Sequence, residues 1–341
     1  MRRPALLAVA AAAVLGLAGC AGADDETGPA SSPPASSTST TTTSTDDGST
    51  SAAGRGSTAE RAAPVSRTVD PPAMPDGGAL RPDPAAARGD RPAAYAEGCQ
   101  QQTGTEVIRC EVGDPDGERT VALVGDSKAL QWASALDVVG RERGWRVVTM
   151  TRSGCPWTDA VTSRDGAPDE ECRTWGGRVT DALLDLDPDL VVTSAVRGSA
   201  VGPGPSGSSA RPSQTALVEG YARVWDEVGA TGIPVAALTD TPQPGGDGDV
   251  PGCVAAHRDD PDACTLPYGE GSGTEALRAA AERSPTATLV DLTGVLCPDR
   301  TCRPVQGDVL VYRDGSHVTD TYARSLAPSL SPVLAELLRE R

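Results

Sequence analysis

Histidine is scarce in this chain, which has only His257 and His317 among its 341 residues. A reaction that needs an imidazole as its base therefore has two candidates for that group. Basic residues are also in deficit, because 30 Lys and Arg stand against 47 Asp and Glu, which gives a formal net charge of −17. This deficit, and the lack of a basic stripe with interleaved aromatics, argue against nucleic acid as a partner and against a basic face that docks on anionic lipid.

Three further absences narrow the possibilities. Phenylalanine is missing, which beside abundant Ala, Arg, Gly and Pro indicates a codon-composition bias more than a function. Long apolar runs are lacking after residue 20, so we expect no membrane-spanning helix there. No Cys-x-x-Cys pair occurs and the cysteine spacings are irregular, so the sequence argues against a zinc site, the alternative use of these cysteines.

The first 20 residues have the pattern of an export signal. Arg2 and Arg3 precede the apolar residues 5–17, a stretch that is too short for a comfortable membrane span. Residues 17–20, Leu-Ala-Gly-Cys, resemble a bacterial lipobox, in which the cysteine is lipidated and becomes the first residue of the mature protein. We therefore expect a protein that is anchored through Cys20 to the extracytoplasmic face of the cell membrane. A plain secretory signal with an incidental cysteine is the alternative.

Residues 21–94 have few large apolar side chains and many Ser, Thr, Pro, Asp and Gly. Such a segment cannot bury enough apolar surface to offset its chain entropy, so it is predicted to be a disordered linker that holds a globular domain away from the membrane. Residues 95–341 are sufficient for one domain of ordinary size.

Eight cysteines remain when Cys20 is set aside for lipid, and they fall into four couples of sequence neighbours. An exported protein can form disulfides. Spacing alone leaves many connectivities open, but local pairing is the simplest expectation. The expected pairs are Cys99–Cys110, Cys155–Cys172, Cys253–Cys264 and Cys297–Cys302.

Within residues 95–341, apolar runs bounded by turn residues alternate with helical stretches, which predicts an α/β domain with a parallel sheet of about five strands covered on both faces. The expected strands are 120–124, 146–151, 190–194, 234–238 and 286–291. The expected helices are 127–143, 173–186, 213–228, 274–283 and 320–341.

The tripeptide Gly125-Asp126-Ser127 stands where the first of these strands would end and a helix would begin. A sharp turn there would present the Ser127 hydroxyl at the carboxyl edge of the sheet, with its N–H at a helix N-terminus that favours negative charge. Near the other end of the chain, Asp314-Gly-Ser-His317 supplies a base and a carboxylate to orient it. Gly-Asp-Ser is also an ordinary turn, but the two motifs together predict a serine hydrolase.

Several motifs occur in order between residues 99 and 333: Val-Ala-Leu-Val-Gly-Asp-Ser at 121–127 with Gln131-Trp132, Ser-Gly-Cys-Pro at 153–156, Pro-Asp-Leu-Val-Val at 188–192, Val-Tyr-Arg-Asp-Gly-Ser-His at 311–317 and Tyr-Ala-Arg-Ser-Leu-Ala-Pro at 322–328. With them the chain resembles the SGNH hydrolase superfamily, and in particular the extracytoplasmic SGNH domain that is often fused to membrane O-acyltransferases of bacterial polysaccharides. The resemblance implies a three-layer α/β/α, flavodoxin-like doubly wound sheet.

The resemblance also implies roles for individual residues. Ser127 would be the nucleophile, His317 its base and Asp314 the orienting carboxylate, with an acyl-enzyme intermediate and no cofactor. The backbone N–H groups of Ser127 and Gly154 would hold the oxyanion, because glycine lets the backbone approach the substrate closely.

Two departures from the family pattern concern the same site. Lys128 stands where many members have a histidine, and we expect its side chain to be solvated. Many superfamily enzymes also have an asparagine as a third oxyanion donor after the middle strand, whereas residues 193–197 contain none. Ser194 or Arg197 would have to replace it, unless they are only a strand-end hydroxyl and a surface arginine.

The expected function is thus that of an esterase or acyltransferase on O-acyl groups, with acetyl on cell-envelope polysaccharide as the expected substrate. Without a membrane-spanning donor domain, hydrolysis is favoured, or transfer from a separate membrane acyl-donor protein. The alternative is a non-catalytic glycan-binding or scaffolding lipoprotein that retains the fold.

We predict that Cys20→Ser releases the protein from membranes. Each methylene of an acyl chain contributes about 0.8 kcal/mol to membrane binding, so loss of the lipidated thiol removes the anchor. Fractionation of expressing cells, with the wild-type protein as control, measures the effect. Membrane partitioning that does not change in Cys20→Ser would contradict the lipid anchor.

Overall fold

The structure is a computed structural model that describes residues 66–196, 198–202, 211–243, 248–268, 272–339 and 341. The predicted signal, Cys20, the first part of the predicted linker and Arg197 lie outside the described residues. Among the residues described, no helix combines the length and the apolar character needed to cross a bilayer.

The strands are β1 Ser66–Thr68, β2 Gln100–Gln101, β3 Cys110–Gly113, β4 Arg119–Gly125, β5 Trp145–Arg152, β6 Thr162–Arg164, β7 Ala167–Asp169, β8 Leu190–Ser194, β9 Ala200–Gly202, β10 Arg211–Ser213, β11 Val235–Leu238, β12 Ala287–Asp291, β13 Val305–Gln306 and β14 Val309–Leu310. The α-helices are α1 Ser127–Leu130, α2 Ala133–Arg143, α3 Glu170–Leu186, α4 Gln214–Gly229, α5 Val250–Ala256, α6 Thr274–Ala281, α7 Thr293–Leu296, α8 Asp320–Ser325 and α9 Ala327–Arg339.

The central sheet has the order β1-β12-β11-β8-β4-β5-β2, and β3 pairs antiparallel with β5. Its five predicted strands, β4, β5, β8, β11 and β12, are parallel and stand in the spatial order 2-1-3-4-5, which is the flavodoxin-like order. The predicted fold class is therefore confirmed. Because these strands are parallel, all their carboxyl ends lie at one edge of the sheet, where ligands bind in open α/β folds.

Helices cover both faces of the sheet, as the alternation of side chains along β4 requires. Val121 and Leu123 of this strand pack in one apolar core, with side chains from α1, α2, α5, α7, α8 and α9. Ala122 and Val124 pack in a second core on the other face, with side chains from α3, α4 and α6. Two small antiparallel sheets, β10-β9-β6-β7 and β13-β14, lie outside the central sheet.

Two predicted helices are each divided into two. The helix expected over 127–143 is interrupted between α1 and α2, where the Gln131 side chain donates to the Lys128 carbonyl at 3.1 Å and accepts from the Val318 N–H at 3.1 Å. The helix expected over 320–341 is interrupted between α8 and α9, and Pro328 in the first turn of α9 suits a new helix start. A side chain that bonds to a distant segment thus sets the first break.

The folded region begins earlier than the predicted boundary at residue 95. Strand β1 forms the edge of the sheet and pairs with β12, with Ser66 opposite Leu289. Val69, directly after β1, is 1% exposed. Ala87 and Ala94 are also buried in the core. From their composition, residues 66–94 were expected to belong to a disordered linker. Composition does not reveal strand addition at a sheet edge, because that pairing depends on backbone hydrogen bonds.

Four disulfides join cysteines that are neighbours in sequence: Cys99–Cys110, Cys155–Cys172, Cys253–Cys264 and Cys297–Cys302. This is the pairing expected from the sequence. The fully buried Cys155–Cys172 bridge ties the turn after β5 to the first turn of α3. Nδ1 of His257 lies 3.9 Å from both sulfurs of the Cys253–Cys264 bridge.

The segment that follows Cys155, at residues 158–160, packs against two helix glycines. A Cβ at Gly176 of α3 would overlap the carbonyl oxygen of Thr158, and one at Gly220 of α4 would overlap the Thr158 hydroxyl and the Ala160 side chain. The two helices therefore approach the chain at residues 158–160 at backbone distance. Gly177, the next residue of α3, is exposed and has nothing near its Cβ position.

We predict opposite effects for alanine at these adjacent positions. Gly176→Ala should lower the free energy of unfolding by about 1–3 kcal/mol because the methyl group overpacks a closed contact. Gly177→Ala should raise it by about 0.5–1 kcal/mol through helix propensity. Urea unfolding of both variants measures the difference, and equal shifts in the same direction would contradict the close approach.

Candidate active site

A sharp turn at the end of β4 presents Ser127. Gly125 has φ +135°, and a Cβ at this residue would lie 2.6 Å from the carbonyl oxygen of Ser194, so the turn requires glycine. Asp126 caps α1, because its Oδ1 accepts from the Lys128 N–H at 2.8 Å. Ser127 is the first residue of that helix and lies at the carboxyl edge of the sheet. The strand, the turn and the helix follow one another as the sequence predicts.

His317 meets Ser127 across this edge. Nε2 of His317 lies 2.8 Å from Oγ of Ser127, and its Nδ1 lies 3.0 Å from Oδ2 of Asp314. Oδ1 of Asp314 also accepts from the N–H groups of Ser316 and His317, both at 2.8 Å, which shapes the loop into a turn. The three side chains named from the sequence therefore form one chain of hydrogen bonds.

The loop that carries His317 is itself closed by backbone hydrogen bonds. The Arg313 N–H donates to the carbonyl of His317 at 3.0 Å, and the Thr319 N–H donates to that of Val311 at 2.8 Å. The Val318 N–H donates to the Gln131 side chain, which belongs to the turn after α1. These bonds attach the loop to the segment that carries Ser127.

The electrostatics of Asp314 and His317 suit proton transfer from Ser127. Burial alone would raise the pKa of Asp314, but the hydrogen bond and the charge of His317, with the two N–H bonds, hold that pKa well below its usual range. Burial lowers the pKa of His317 and Lys128 lowers it further, while Asp314 acts in the opposite direction. The imidazole is therefore neutral near pH 7. Since an ionised carboxylate only accepts, the ring proton belongs on Nδ1, and Nε2 is left to accept from Ser127.

Asp126 connects the turn to the neighbouring strand. Its Oδ2 accepts from the Val196 N–H at 2.9 Å, just beyond the end of β8. Burial raises the pKa of this fully enclosed carboxyl to about 7, against the effect of its two backbone N–H donors. Asp126 thus serves as an internal hydrogen-bond acceptor that is remote from solvent.

Lys128 is not solvated, which corrects the prediction made for it. Its side chain is 0% exposed, and Nζ lies 3.0 Å from Oδ1 of Asp240. Nζ also donates to the Thr241 hydroxyl and, at 2.6 Å, to the carbonyl of Ser316. An isolated ammonium is costly to bury, so the ion pair with Asp240 is what permits this position. Asp240 and Thr241 were not singled out from the sequence as part of the site, although their place shortly after the strand expected at 234–238 was a usable signal.

The two other oxyanion candidates lie at the ends of the strands on either side of β4, Ser194 as the last residue of β8 and Gly154 two residues after β5. In the sheet register, Gly125 stands opposite Thr151 of β5 and opposite Ser194 of β8. Gly154 follows β5 in a turn with φ +61°, a conformation that glycine adopts readily. Ser194 is fully buried, and its Oγ has no hydrogen-bond partner among the described residues. Arg197 lies outside the described residues.

Tyr95 supports the segment that carries Ser127 and was not singled out from the sequence as part of the site. Its hydroxyl donates to the carbonyl of Ser127 at 3.4 Å and accepts from Nη2 of Arg313 at 3.2 Å. The Arg313 guanidinium also lies 5.0 Å from the centre of the Tyr95 ring. Both segments of the site are thereby bound to the short 3₁₀ turn Ala93–Tyr95.

Comparison with known proteins places the chain in a family. The model of the SGNH domain (fused to AT3 domains) matches residues 98–332, which is more than half of the sequence. The chain belongs to this family, as the sequence motifs predicted. The family lies within the superfamily of SGNH hydrolases and acyltransferases.

Two solved structures are similar over most of the folded region. The first, the periplasmic domain of a lipopolysaccharide acetyltransferase from Salmonella ser. Paratyphi A, shares 14% identity at a TM-score of 0.48 and covers 71% of this chain and 88% of its own. The second, an alpha/beta hydrolase enzyme from the metagenome of Lake Arreo in Spain, shares 17% identity at a TM-score of 0.34 and covers 65% of this chain and 97% of its own. No curated protein matches the chain.

We predict that Asp126→Ala destabilises the fold by about 1–3 kcal/mol for each of the two backbone N–H groups that lose their buried acceptor. Asp126→Asn keeps one acceptor oxygen and should lose less. Urea unfolding as a function of pH separates charge from hydrogen bonding. The raised folded-state pKa means that wild-type stability relative to Asp126→Asn falls as pH rises from 3.8 through about 7. A difference that does not vary over this range would contradict the assignment.

Proposed function

We propose that the protein is a serine esterase or O-acyltransferase in which Ser127, His317 and Asp314 form the catalytic triad. The proposal rests on one observation, the continuous hydrogen-bonded path from Oγ of Ser127 through His317 to the Asp314 carboxylate. Family membership supports the same reaction class. A strand-end serine, a neutral imidazole and an ionised carboxylate in this order are the parts that acyl transfer through serine requires.

The steps follow from the positions of the protons. Nε2 of His317 takes the Ser127 proton as Oγ attacks the ester carbonyl, and the charge of the imidazolium is balanced by Asp314. The tetrahedral intermediate collapses when His317 gives this proton to the departing alcohol, which leaves an acyl group on Ser127. Water, or a sugar hydroxyl in a transferase, then loses its proton to His317 and attacks the acyl-enzyme. The final collapse returns the proton to Ser127.

The oxyanion would be held by the N–H groups of Ser127 and Gly154, with Ser194 as the candidate third donor. Each donor of this kind contributes about 10²- to 10³-fold to the rate. Oγ of Ser194 has no hydrogen-bond partner among the described residues, which supports the candidate, because buried hydroxyls normally have one. The burial of Ser194 on β8 equally fits a hydroxyl that serves only the fold. The proposal therefore rests on the N–H groups of Ser127 and Gly154.

For the substrate we propose O-acyl groups, acetyl in particular, on cell-envelope polysaccharide. The family is described as fused to AT3 domains, which supports a separate membrane protein as the donor of the acyl group. We further propose an extracytoplasmic location with a lipid anchor at Cys20. The four disulfides support an oxidising compartment.

We predict that the purified protein hydrolyses a chromogenic acetyl ester. Ser127→Ala and His317→Ala should each lower kcat/KM by about 10³-fold or more. His257→Ala is the matched control, because this exposed histidine packs on a disulfide and should retain wild-type activity. The acid limb of kcat/KM should lie below the ordinary histidine pKa of 6.5, since burial lowers the pKa of His317.

Equal rates for the wild type and both triad variants would refute the esterase proposal. That result would favour the alternative, a glycan-binding or scaffolding lipoprotein that retains the fold. The lack of an asparagine in residues 193–197 is the feature of the chain that supports this alternative.

A further inference from the structure

Lys128 is the single lysine in the chain, although Lys and Arg together number 30. The sequence therefore uses arginine at every other basic position and retains an ammonium directly after Ser127. An ammonium is compact and has three donors, whereas a guanidinium is a broad planar fork. The surroundings of Nζ match the smaller group, because its three acceptors are Oδ1 of Asp240, Oγ1 of Thr241 and the carbonyl of Ser316.

These contacts join three segments that are far apart in sequence. Lys128 belongs to α1, Asp240 and Thr241 follow β11, and Ser316 belongs to the loop that precedes α8. Asp240 is itself fixed, because its Oδ1 accepts from the Thr241 N–H at 2.7 Å and its Oδ2 from the Gly273 N–H at 2.8 Å. The ammonium is thus held by a carboxylate whose two oxygens each accept from a backbone N–H.

The Ser316 carbonyl is the point at which this cluster acts on the triad. It receives a hydrogen bond from Nζ of Lys128 and another from the Thr241 hydroxyl. The N–H of the same peptide unit, which is that of His317, donates to Oδ1 of Asp314 at 2.8 Å. The backbone immediately before the imidazole is therefore held on its carbonyl side by Lys128 and Thr241 and on its N–H side by Asp314.

We propose that Lys128 is a positioning residue of the triad: with Asp240 and Thr241, it holds the Ser316 carbonyl and so sets the distance between the His317 ring and the Ser127 hydroxyl. This inference rests on the proposed function. Its physical basis is that a displacement of about 1 Å in a reacting group costs about 10²-fold in rate.

A second effect of the same ammonium is electrostatic. The charged groups that act on His317 are Asp314, Lys128 and Arg313, and both cations lower the pKa of the imidazole. Removal of the Lys128 charge should therefore raise the pKa of His317 and move the acid limb of the rate profile to higher pH. A purely structural lysine, remote from the histidine, would leave that limb unchanged.

The test compares two double variants that each remove one ion pair. Lys128→Met/Asp240→Asn removes the buried charges together, so that no unpaired carboxylate is left in the interior. Arg223→Met/Asp159→Asn is the matched control, because it removes an ion pair between exposed side chains. Steady-state kinetics with the chromogenic acetyl ester are measured as a function of pH, and circular dichroism verifies folding.

In the Lys128→Met/Asp240→Asn variant we expect kcat to fall about 10²-fold with little change in KM, and the acid limb to move to higher pH. The control variant should match the wild type in both respects. The single variant Lys128→Arg, which keeps the positive charge, should also have a kcat below that of the wild type, because the guanidinium does not fit the three acceptors. A folded Lys128→Met/Asp240→Asn variant with wild-type kcat and acid limb would overturn the proposal.

Thr241→Val provides an independent route if the double variant does not fold. It removes one of the two donors to the Ser316 carbonyl without a change of charge, and kcat should fall about three- to tenfold while the acid limb stays in place. Wild-type kcat in Thr241→Val, with the double variant unfolded, would also overturn the proposal. A wild-type protein without esterase activity would refute the proposed function itself, an outcome distinct from an active wild type with unaffected variants.

Discussion

One hydrogen bond connects two distant segments of the folded domain: Nε2 of His317 lies 2.8 Å from Oγ of Ser127, although 190 positions separate the two residues in sequence. Neither side chain can hold that distance alone, because each sits on a turn. The turn of Ser127 is held by Asp126, which bonds to the chain beyond β8, and the turn of His317 is held by Asp314. The rest of the domain supports these two turns.

The sheet makes this meeting possible because its core strands are parallel, so that β4, β8 and β11 all end at one edge. A polar group follows the end of each strand within two residues: Asp126 after β4, the Val196 N–H after β8 and Asp240 after β11. Charged groups buried at such an edge need partners, and Lys128 obtains its partners from the chain after β11 and from the loop before α8. The arrangement of the site therefore depends on the parallel strand order as well as on the sequence motifs.

The sequence allowed prediction of the five core strands and of the meeting of Ser127 with His317 and Asp314, because each leaves a local signal, an apolar run with turn residues or an Asp-x-x-His spacing. Strands β1, β2 and β3 leave none, because edge strands of 2–4 residues depend on backbone pairing. The environment of Lys128 was predicted wrongly for a related reason. Whether a charged side chain is buried depends on its partner, and Asp240 is on a different strand end, far along the chain. Tyr95 was missed because its contacts to Ser127 and Arg313 are likewise tertiary.

Reaction of the purified protein with a fluorophosphonate probe tests most directly whether the Ser127 hydroxyl is activated by His317. The probe requires a nucleophilic serine but no knowledge of the natural substrate. The account predicts one adduct, which peptide mass spectrometry locates on Ser127 and which is lost in His317→Ala. An adduct on another residue, or no adduct on a folded protein, would contradict it.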